Sequence, residues 1–335
     1  MKILIIHTAF IGDIILSTPF IKKIKSTYKD AKIDYLTTPL GAEILKNNPL
    51  LDKIIVYDKK NKDRGIIGFF RVVNKLRKEK YNTTYILHRY LRSTLIGFFS
   101  NIKNRVGYNL ATGKILLNKK VIYNKDAHEV DRILAFVDNA LFTEKKIELY
   151  PGITEVDSID EIFNKNQILK SNKIVVIAPG SKWKTKMWPI ERYNELIKSI
   201  TEHQKETKII VIGGKDEEKL DIVKHKNIIN LVGKTSLLET AEIIKRSDVI
   251  VTNDSSPIHI ASAFDTYIIA IFGATVKELG FYPWSKNSIV VENKNINCRP
   301  CGLHGGNRCK YGHFRCMMDI SVEKVYKIVE NRVKI

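Results

Sequence analysis

Short runs of aliphatic and β-branched residues recur along the chain, and many are followed by a stretch with helical spacing of apolar residues. Runs this apolar are typical of strands buried on both faces, and their alternation with helices predicts parallel sheets built from βαβ units. Ten runs are predicted as strands: "KILII" at 2–6, "KIDYLT" at 32–37, "KIIVYD" at 53–58, "TYILH" at 84–88, "RVGY" at 105–108, "KIVVIAPG" at 173–180, "KIIVIGG" at 208–214, "IINLVG" at 228–233, "DVIVTND" at 248–254 and "YIIAIFG" at 267–273.

The series of strands restarts near Lys173, after a polar and acidic segment at 155–171 that we interpret as a connection. A length of 335 residues is suited to two domains. We therefore predict an α/β protein of two Rossmann-like, doubly wound parallel-sheet domains, 1–160 and 161–320. The segment 321–335 has apolar residues at helical spacing and predicts a closing helix capped by Ser321.

The formal net charge is +20. Such a field attracts nucleic acid, anionic lipid or phosphorylated substrates, although abundant lysine on solvated surfaces is an equally simple explanation. The apolar run at 3–6 is interrupted by His7 and Asp13, unlike a signal peptide, and no apolar run approaches the ~20 residues that span a bilayer. We expect a cytoplasmic protein, with peripheral contact with the cytoplasmic face of the inner membrane as an extension of that prediction.

One predicted strand runs directly into a helical pattern through the stretch "NDSSPIH". Asp254, Ser255 and Ser256 precede Pro257, as in an ordinary helix cap with proline in the first turn. Ligands bind beyond the carboxyl ends of parallel strands, and a helix N-terminus attracts anions. Capping and phosphate binding, with His259 as a further donor, are both compatible with the pattern.

A second strand ends in "APGSKWKTKMWP". Glycine lets the backbone approach a ligand, and three lysines, at 182, 184 and 186, supply point charges for phosphate. A solvated basic loop is the alternative. Two phosphate-suited turns at two strand ends of one domain favour a nucleotide diphosphate.

In the first half, Gly12 and Asp13 follow the first strand, where a carboxylate could accept the proton of an incoming hydroxyl or simply cap the next helix. Arg89 and Arg92 follow a later strand, and arginine suits carboxylate or phosphate recognition. A second charged cluster, "HEVDR" at 128–132, is compatible with a binding role or with surface salt bridges.

All four cysteines lie between residues 298 and 316, with the spacing Cys-x2-Cys-x7-Cys-x6-Cys. Four thiols in so short a span suit a tetrahedral structural zinc ion, and reduced or disulfide-forming thiols are the alternative. The candidate metal ligands are Cys298, Cys301, Cys309 and Cys316.

Taken in order, these motifs resemble glycosyltransferase family 9, the ADP-heptose:lipopolysaccharide heptosyltransferases. The resemblance spans nearly the whole chain and is carried by Gly12-Asp13 with Thr18-Pro19, the Arg-Ser segment with Arg105-Gly107-Tyr108, the Pro-Gly-Ser loop with Lys and Trp-Pro, Asp254 to His259, Phe272 to Thr275 and the cysteine-rich tail. The chain departs from the family's usual Asp-Thr-Gly or Asp-Ser-Gly at Ser256.

The resemblance implies a GT-B fold, in which two Rossmann-like domains face each other across a cleft and the last helix packs back towards the N-terminal domain. The N-terminal domain would bind the acceptor and the C-terminal domain the nucleotide-sugar donor. The implied reaction is an inverting transfer that requires no cofactor, from a nucleotide-diphosphate sugar, with an ADP-linked heptose favoured, to a lipid A–core acceptor of lipopolysaccharide. A nucleotide-sugar epimerase and a basic nucleic-acid-binding protein with a zinc-like tail are the alternative functions; with the transferase, no nucleic-acid partner is expected.

The resemblance also assigns roles to residues. Asp13 is the expected general base. The expected donor-binding residues are Ser181, Lys182, Lys186, Glu217, Asp254, Ser255, Ser256 and His259. The expected acceptor-binding residues are Thr8, Gly12, Arg89 and Arg92.

Overall fold

The computed structural model describes residues 1–334 and folds as two compact units, the first from Met1 to Tyr150 and the second from Pro151 onwards. The sequence placed this boundary at 160. The difference arises because the acidic segment interpreted as a connection is a helix, Ile153–Lys165, whose Ile159 and Phe163 are buried at i, i+4 spacing. This helix packs on another helix of the second unit, so the division lies before it.

The first unit contains one six-stranded parallel sheet in the order β3-β2-β1-β4-β5-β6. Its strands are β1 (Lys2–Ile6), β2 (Lys32–Thr37), β3 (Lys53–Val56), β4 (Thr83–Ile86), β5 (Asn104–Tyr108) and β6 (Lys119–Val121). Its helices are α1 (Ile11–Leu16), α2 (Thr18–Thr27), α3 (Pro39–Leu45), α4 (Gly65–Glu79), α5 (Leu91–Phe99) and α6 (Glu129–Leu134), with a 3-10 turn at Lys114–Leu116.

The second unit repeats the arrangement with the sheet order β12-β11-β10-β7-β8-β9, again entirely parallel. Its strands are β7 (Ile174–Ala178), β8 (Lys208–Val211), β9 (Ile228–Asn230), β10 (Val249–Asn253), β11 (Tyr267–Phe272) and β12 (Ser288–Glu292). Its helices are α7 (Ile153–Lys165), α8 (Ile190–His203), α9 (Leu237–Lys245), α10 (Ser256–Ala261), α11 (Arg315–Met318) and α12 (Val322–Val333), and 3-10 turns lie at Lys184–Lys186, Lys215–Glu217 and Lys277–Leu279.

All ten predicted strands are present, and each sheet has one further strand at its edge, β6 or β12, that the sequence analysis missed. Both are partly solvated: Lys119 and Lys120 of β6 are exposed, and β12 buries only Val291 fully. An edge strand lacks the continuous apolar pattern on which the prediction relied.

The closing helix α12 begins where the sequence predicted it, because the Ser321 hydroxyl accepts the backbone N–H of Lys324 at 3.3 Å. Val325, Val329 and Val333 form its buried stripe and join the core of the second unit, where α12 packs against α8. Its expected packing towards the N-terminal domain stays a prediction.

In each parallel sheet the carboxyl ends of all strands lie on the same side, which we call the carboxyl edge and which is where doubly wound folds bind ligands. Within the described chain, no helix is both long enough and apolar enough to cross a bilayer.

Candidate active site

In the second unit, the buried side chain of Asn253 ties two strand ends together. Its amide nitrogen donates to the carbonyl of Pro179 at 2.7 Å, while its amide oxygen accepts the N–H of Trp188 at 2.9 Å and the hydroxyl of Tyr193 at 3.0 Å. With every polar atom satisfied, Asn253 holds the Pro-Gly-Ser turn against the end of β10. The sequence analysis did not single out this residue.

Asp254, the acidic residue directly after β10, forms an ion pair. The Asp254 carboxylate, 6% exposed, lies 2.6 Å from the ammonium of Lys186 and also accepts the hydroxyl of Thr275. Asp254 therefore anchors a lysine of the neighbouring turn. Ser255 occupies the N-cap position without a side-chain bond to α10, and its hydroxyl faces the carbonyl of Gly180 at 3.4 Å.

Ser256 and His259 belong to α10: Ser256 is its first residue and His259 is buried on the following turn. Ser256 does not have a positive φ angle, so its backbone conformation does not require the glycine that is usual in the family. Ser181 and Lys182 continue the Pro-Gly-Ser turn, and the exposed Lys182 ammonium lies 5.3 Å from the centre of the Trp183 ring.

Glu217 lies directly against the same turn. A Cβ added to Gly180 would stand 1.7 Å from a carboxylate oxygen of Glu217, so any larger residue there would require the Glu217 side chain to move. Burial raises the pKa of Glu217, and a bond from the N–H of Gly214 opposes that rise. The neighbouring Glu218 packs beneath Gly233 instead, so Glu217 and not Glu218 lies beside this turn. The assignment of Glu217 as a donor contact stays a prediction.

In the first unit, Asp13 lies half-buried in the first turn of α1, just after β1. It is not the N-cap: Phe10 is, and the Asp13 carboxylate accepts the N–H of Phe10 at 3.2 Å. Gly12 precedes it in the helix and is also half-buried. The negative charge of Asp13 is one of the causes that raise the pKa of Glu129.

Part of the "HEVDR" cluster is a surface salt bridge, which was one of its two interpretations: the Asp131 carboxylate lies 2.7 Å from the ammonium of Lys145, and both side chains are solvated. The other charged residues of the cluster are buried. Glu129 and Arg132 are 7% and 3% exposed and form an ion pair at 3.0 Å. Burial, followed by the charge of Asp13, raises the pKa of Glu129 to about 7, although Arg132 and Arg89 favour its ionised form. The Tyr123 ring lies 4.4 Å from the guanidinium of Arg89 and 4.9 Å from that of Arg132. The sequence analysis missed Tyr123.

Buried Thr8 contacts an imidazole and an ammonium group. The hydroxyl of Thr8 lies 3.3 Å from Nε2 of His88, and its carbonyl accepts the ammonium of Lys59 at 2.9 Å. Burial, then the charge of Lys59, lowers the pKa of His88 to about 3, so this imidazole is neutral near pH 7. Arg92 is exposed and donates to the Tyr57 hydroxyl at 3.0 Å.

The cysteine-rich loop packs on the 3-10 turn Lys184–Lys186, which we call the donor turn. The backbone N–H of Thr185 donates to the carbonyl of Gly306 at 2.9 Å, and the N–H of Cys301 donates to the carbonyl of Ala274 at 2.7 Å. All four cysteines are free thiols, and Cys298 Sγ lies 3.9 Å from His313 Nε2. Among residues 1–334, no group of three or more His, Cys, Asp or Glu is arranged to hold a metal ion. The metal assignment of the four cysteines stays a prediction.

Each unit thus brings its predicted site residues to the carboxyl edge of its own sheet. A fixed lysine beside a glycine turn at the strand ends of a doubly wound unit is suited to bind phosphate. The chain matches the model of "Glycosyltransferase family 9 (heptosyltransferase)" over residues 69–310, and it therefore belongs to that family and is a glycosyltransferase. The epimerase and nucleic-acid-binding alternatives are set aside.

Curated relatives extend the match to the whole chain. Lipopolysaccharide heptosyltransferase 1 of Campylobacter coli is 29% identical over 317 residues, covering 88% of this chain and 91% of that protein. Lipooligosaccharide heptosyltransferase 2 of Campylobacter jejuni is 25% identical and covers 100% of this chain and 99% of that protein.

Solved structures show the same fold. A family 9 glycosyltransferase from Veillonella parvula superposes with a TM-score of 0.87 at 19% identity, covering 99% of this chain and 97% of that one. The ADP-heptose lipopolysaccharide heptosyltransferase II of E. coli gives a TM-score of 0.79 at 20% identity, covering 99% and 98%. The predicted GT-B class of fold is confirmed.

Proposed function

We propose that this protein is an inverting heptosyltransferase that moves a heptose from ADP-heptose to an acceptor in the inner core of lipopolysaccharide. The observation that carries the proposal is the Lys186–Asp254 ion pair at the carboxyl edge of the second sheet, in a chain that belongs to a heptosyltransferase family. Binding of a diphosphate there would explain why Asp254, Lys186 and the hydroxyl groups of Ser255 and Ser256 lie at these strand ends.

On the donor side, the chemistry needed is charge compensation. When the bond between the anomeric carbon and the phosphate oxygen breaks, negative charge develops on the departing ADP. Preorganised cations and N–H donors aimed at that charge lower the barrier. Lys186 is held in place by Asp254 before any ligand arrives, and Lys182 and Ser181 extend from the same turn.

Glu217 suits a different part of the donor. It lies beside Gly180, and its carboxylate can accept hydrogen bonds from ribose hydroxyls while the turn binds phosphate. Ser255, Ser256 and His259 complete the donor loop in this proposal, with His259 donating to a phosphate oxygen.

On the acceptor side, Asp13 takes the proton from the attacking hydroxyl as the new bond to the anomeric carbon forms. A single base is sufficient for inversion, in contrast to retaining enzymes, which use a second carboxylate as a nucleophile. The charge of Asp13 contributes to raising the pKa of Glu129 to about 7, so Glu129 is partly protonated near pH 7 and does not oppose Asp13 with a second full charge.

The acceptor itself is an anionic, lipid-anchored lipid A–core precursor in this proposal. Arg89 and Arg92 with Thr8 and Gly12 lie at the strand ends of the first unit, and Lys59 adds a further cation there. Arginine and lysine suit the carboxylate and phosphate groups of such an acceptor. The enzyme would work at the cytoplasmic face of the inner membrane, in peripheral contact with it.

The proposal is tested by thermal shift with ADP-, UDP- and GDP-linked sugars. Because a ligand stabilises the state that it binds, the ADP-linked heptose should raise Tm most. Stabilisation by a UDP- or GDP-linked sugar, and none by the ADP-linked heptose, would contradict the donor assignment.

We also propose a structural zinc ion at the four cysteines, with no cofactor in catalysis. The support is local. Cys298, Cys301, Cys309 and His313 lie on a loop that hydrogen-bonds Thr185 beside Lys186, and Cys316 lies in α11 directly after that loop. A bound ion would brace the donor turn. Metal analysis of protein purified under reducing conditions should find one zinc per chain, and a metal-free, fully folded and active protein would rule this out.

A further inference from the structure

The structure leaves an apolar surface exposed on the first unit, formed by the outer faces of α4 and α5 and the 3-10 turn after β5. We call it the α4–α5 surface. It consists of Ile66, Ile67, Phe70, Leu91, Phe98 and Ile115. Ile66 and Ile67 are 76% and 80% exposed, and Ile115 is 88% exposed. Large apolar side chains grouped in this way on a protein surface mark an interaction site.

Packing beneath the surface makes it continuous. Phe70 and Phe98 each make edge-to-face contact with the Phe99 ring, at 5.8 and 5.5 Å between ring centres. Leu91 lies against Gly113, directly before the turn that carries Ile115. Phe70 of α4 and Phe98 of α5 are therefore joined through the Phe99 ring.

The charge around this surface is one-sided. Residues 58–121 contain sixteen of the chain's 56 lysines and arginines but only three of its 36 aspartates and glutamates. Arg64, Lys75, Lys78 and Lys114 are exposed on the same helices and turn. A helical apolar face bordered by Lys and Arg is the combination that lies in the interface of an anionic bilayer.

We propose that the α4–α5 surface docks on an anionic phospholipid bilayer, with Ile66, Ile67 and Phe70 inserted among the headgroups and the basic residues on the lipid phosphates. This rests on the proposed function for its purpose, since the proposed acceptor is lipid-anchored. The position fits that purpose: α4 and α5 begin at the carboxyl edge of the first sheet, where Lys59 and Arg92 contact Thr8 and Tyr57.

The test is co-sedimentation of the full chain with vesicles of phosphatidylethanolamine and phosphatidylglycerol, which contain no acceptor sugar. Wild type should bind them and should not bind pure phosphatidylcholine. Ile66→Ser/Ile67→Ser and, separately, Lys75→Gln/Lys78→Gln should each weaken binding about tenfold. The matched controls Ile153→Ser/Leu169→Ser and Lys224→Gln/Lys226→Gln alter equally exposed residues of the second unit and should bind as wild type.

Three results would overturn the inference. Unchanged binding by both surface variants would move the contact elsewhere. If only Lys75→Gln/Lys78→Gln weakens vesicle binding, the contact is electrostatic and the apolar side chains do not insert. A wild-type dimer that Ile66→Ser/Ile67→Ser dissociates in analytical ultracentrifugation would show that a second copy covers the surface. ADP-heptose should raise the Tm of wild type and of every variant by the same amount. If ADP-heptose does not raise the Tm of wild type, that result counts against the proposed function and not against this surface.

Discussion

The carboxyl edges of the two sheets have the same backbone design but different side-chain chemistry. In the first unit they carry groups whose pKa values are displaced: burial lowers the pKa of His7 and His88, raises that of Glu129 to about 7, and also raises that of Tyr123. In the second unit the main feature is a fixed cation, Lys186 held by Asp254. The comparison supports the proposed mechanism, in which proton transfer belongs to the first unit and charge compensation to the second.

The largest effect is expected from Asp13→Asn, which tests whether proton transfer depends on the first unit. Removing a general base should lower kcat by about 10²- to 10⁴-fold while donor binding is kept. Steady-state kinetics and thermal shift with the donor measure the two effects separately. Asp30→Asn, an exposed carboxylate of the same unit, is the control and should behave as wild type. Near-normal turnover in Asp13→Asn would remove Asp13 from the mechanism.

The next effect concerns the buried Glu129. Because burial raises its pKa from 4.5 to about 7, the folded protein keeps a proton that the unfolded chain releases. This contribution to the free energy of unfolding is complete below about pH 4.5 and is lost as the pH rises through about 7, amounting to about 3 kcal/mol. Glu129→Gln should therefore flatten this part of the curve of Tm against pH.

Asp30→Asn again serves as the control, and Asp13→Asn should lower the pKa of Glu129 because it removes one cause of the rise. Parallel wild-type and Glu129→Gln curves between pH 5 and about 8 would show that Glu129 does not titrate in this range.

Lys186→Met tests the second unit. Losing a charge-assisted contact to phosphate should weaken donor binding about 10- to 100-fold, measured as Kd by calorimetry. It also leaves Asp254 without its cation, so Tm should fall, and the double variant Lys186→Met/Asp254→Asn should recover part of that loss. Lys184→Met, an exposed lysine in the same turn, is the control. Equal donor affinities in the two single variants would refute the special role of Lys186.

The smallest expected effect comes from Gly180→Ala. The added methyl group would collide with the Glu217 carboxylate and displace it, at a cost of about 1–3 kcal/mol shared between stability and donor affinity. Gly214→Ala has open space around its Cβ and serves as the control. Combining Gly180→Ala with Glu217→Ala should restore the Tm. If Gly180→Ala alone is silent, the contact between this turn and Glu217 is not needed.

These contrasts also show what the sequence could predict. The buried strands were found because runs such as "IVVIA" at 174–178 are apolar at every position, whereas β6 and β12 are half-solvated and gave no such signal. The turns at Asp254 and Gly180 were found because strand ends in doubly wound sheets are identifiable positions.

What the sequence could not predict are pairings between distant residues. Asn253 binds Pro179 and Tyr193, and Arg299 binds the carbonyls of Asn293 and Thr275, through contacts that exist only once the strands are ordered side by side. The burial of Glu129 is of the same kind. A charged cluster is usually exposed, and only the structure shows that Glu129 and Arg132 are buried residues of α6.

The most direct measurement is analysis of the product formed from ADP-heptose and a lipid A–core acceptor. The account predicts release of ADP and addition of one heptose with inverted anomeric configuration, dependent on Asp13 and on the acceptor. Retention of configuration, or conversion of the sugar nucleotide without any acceptor, would contradict it.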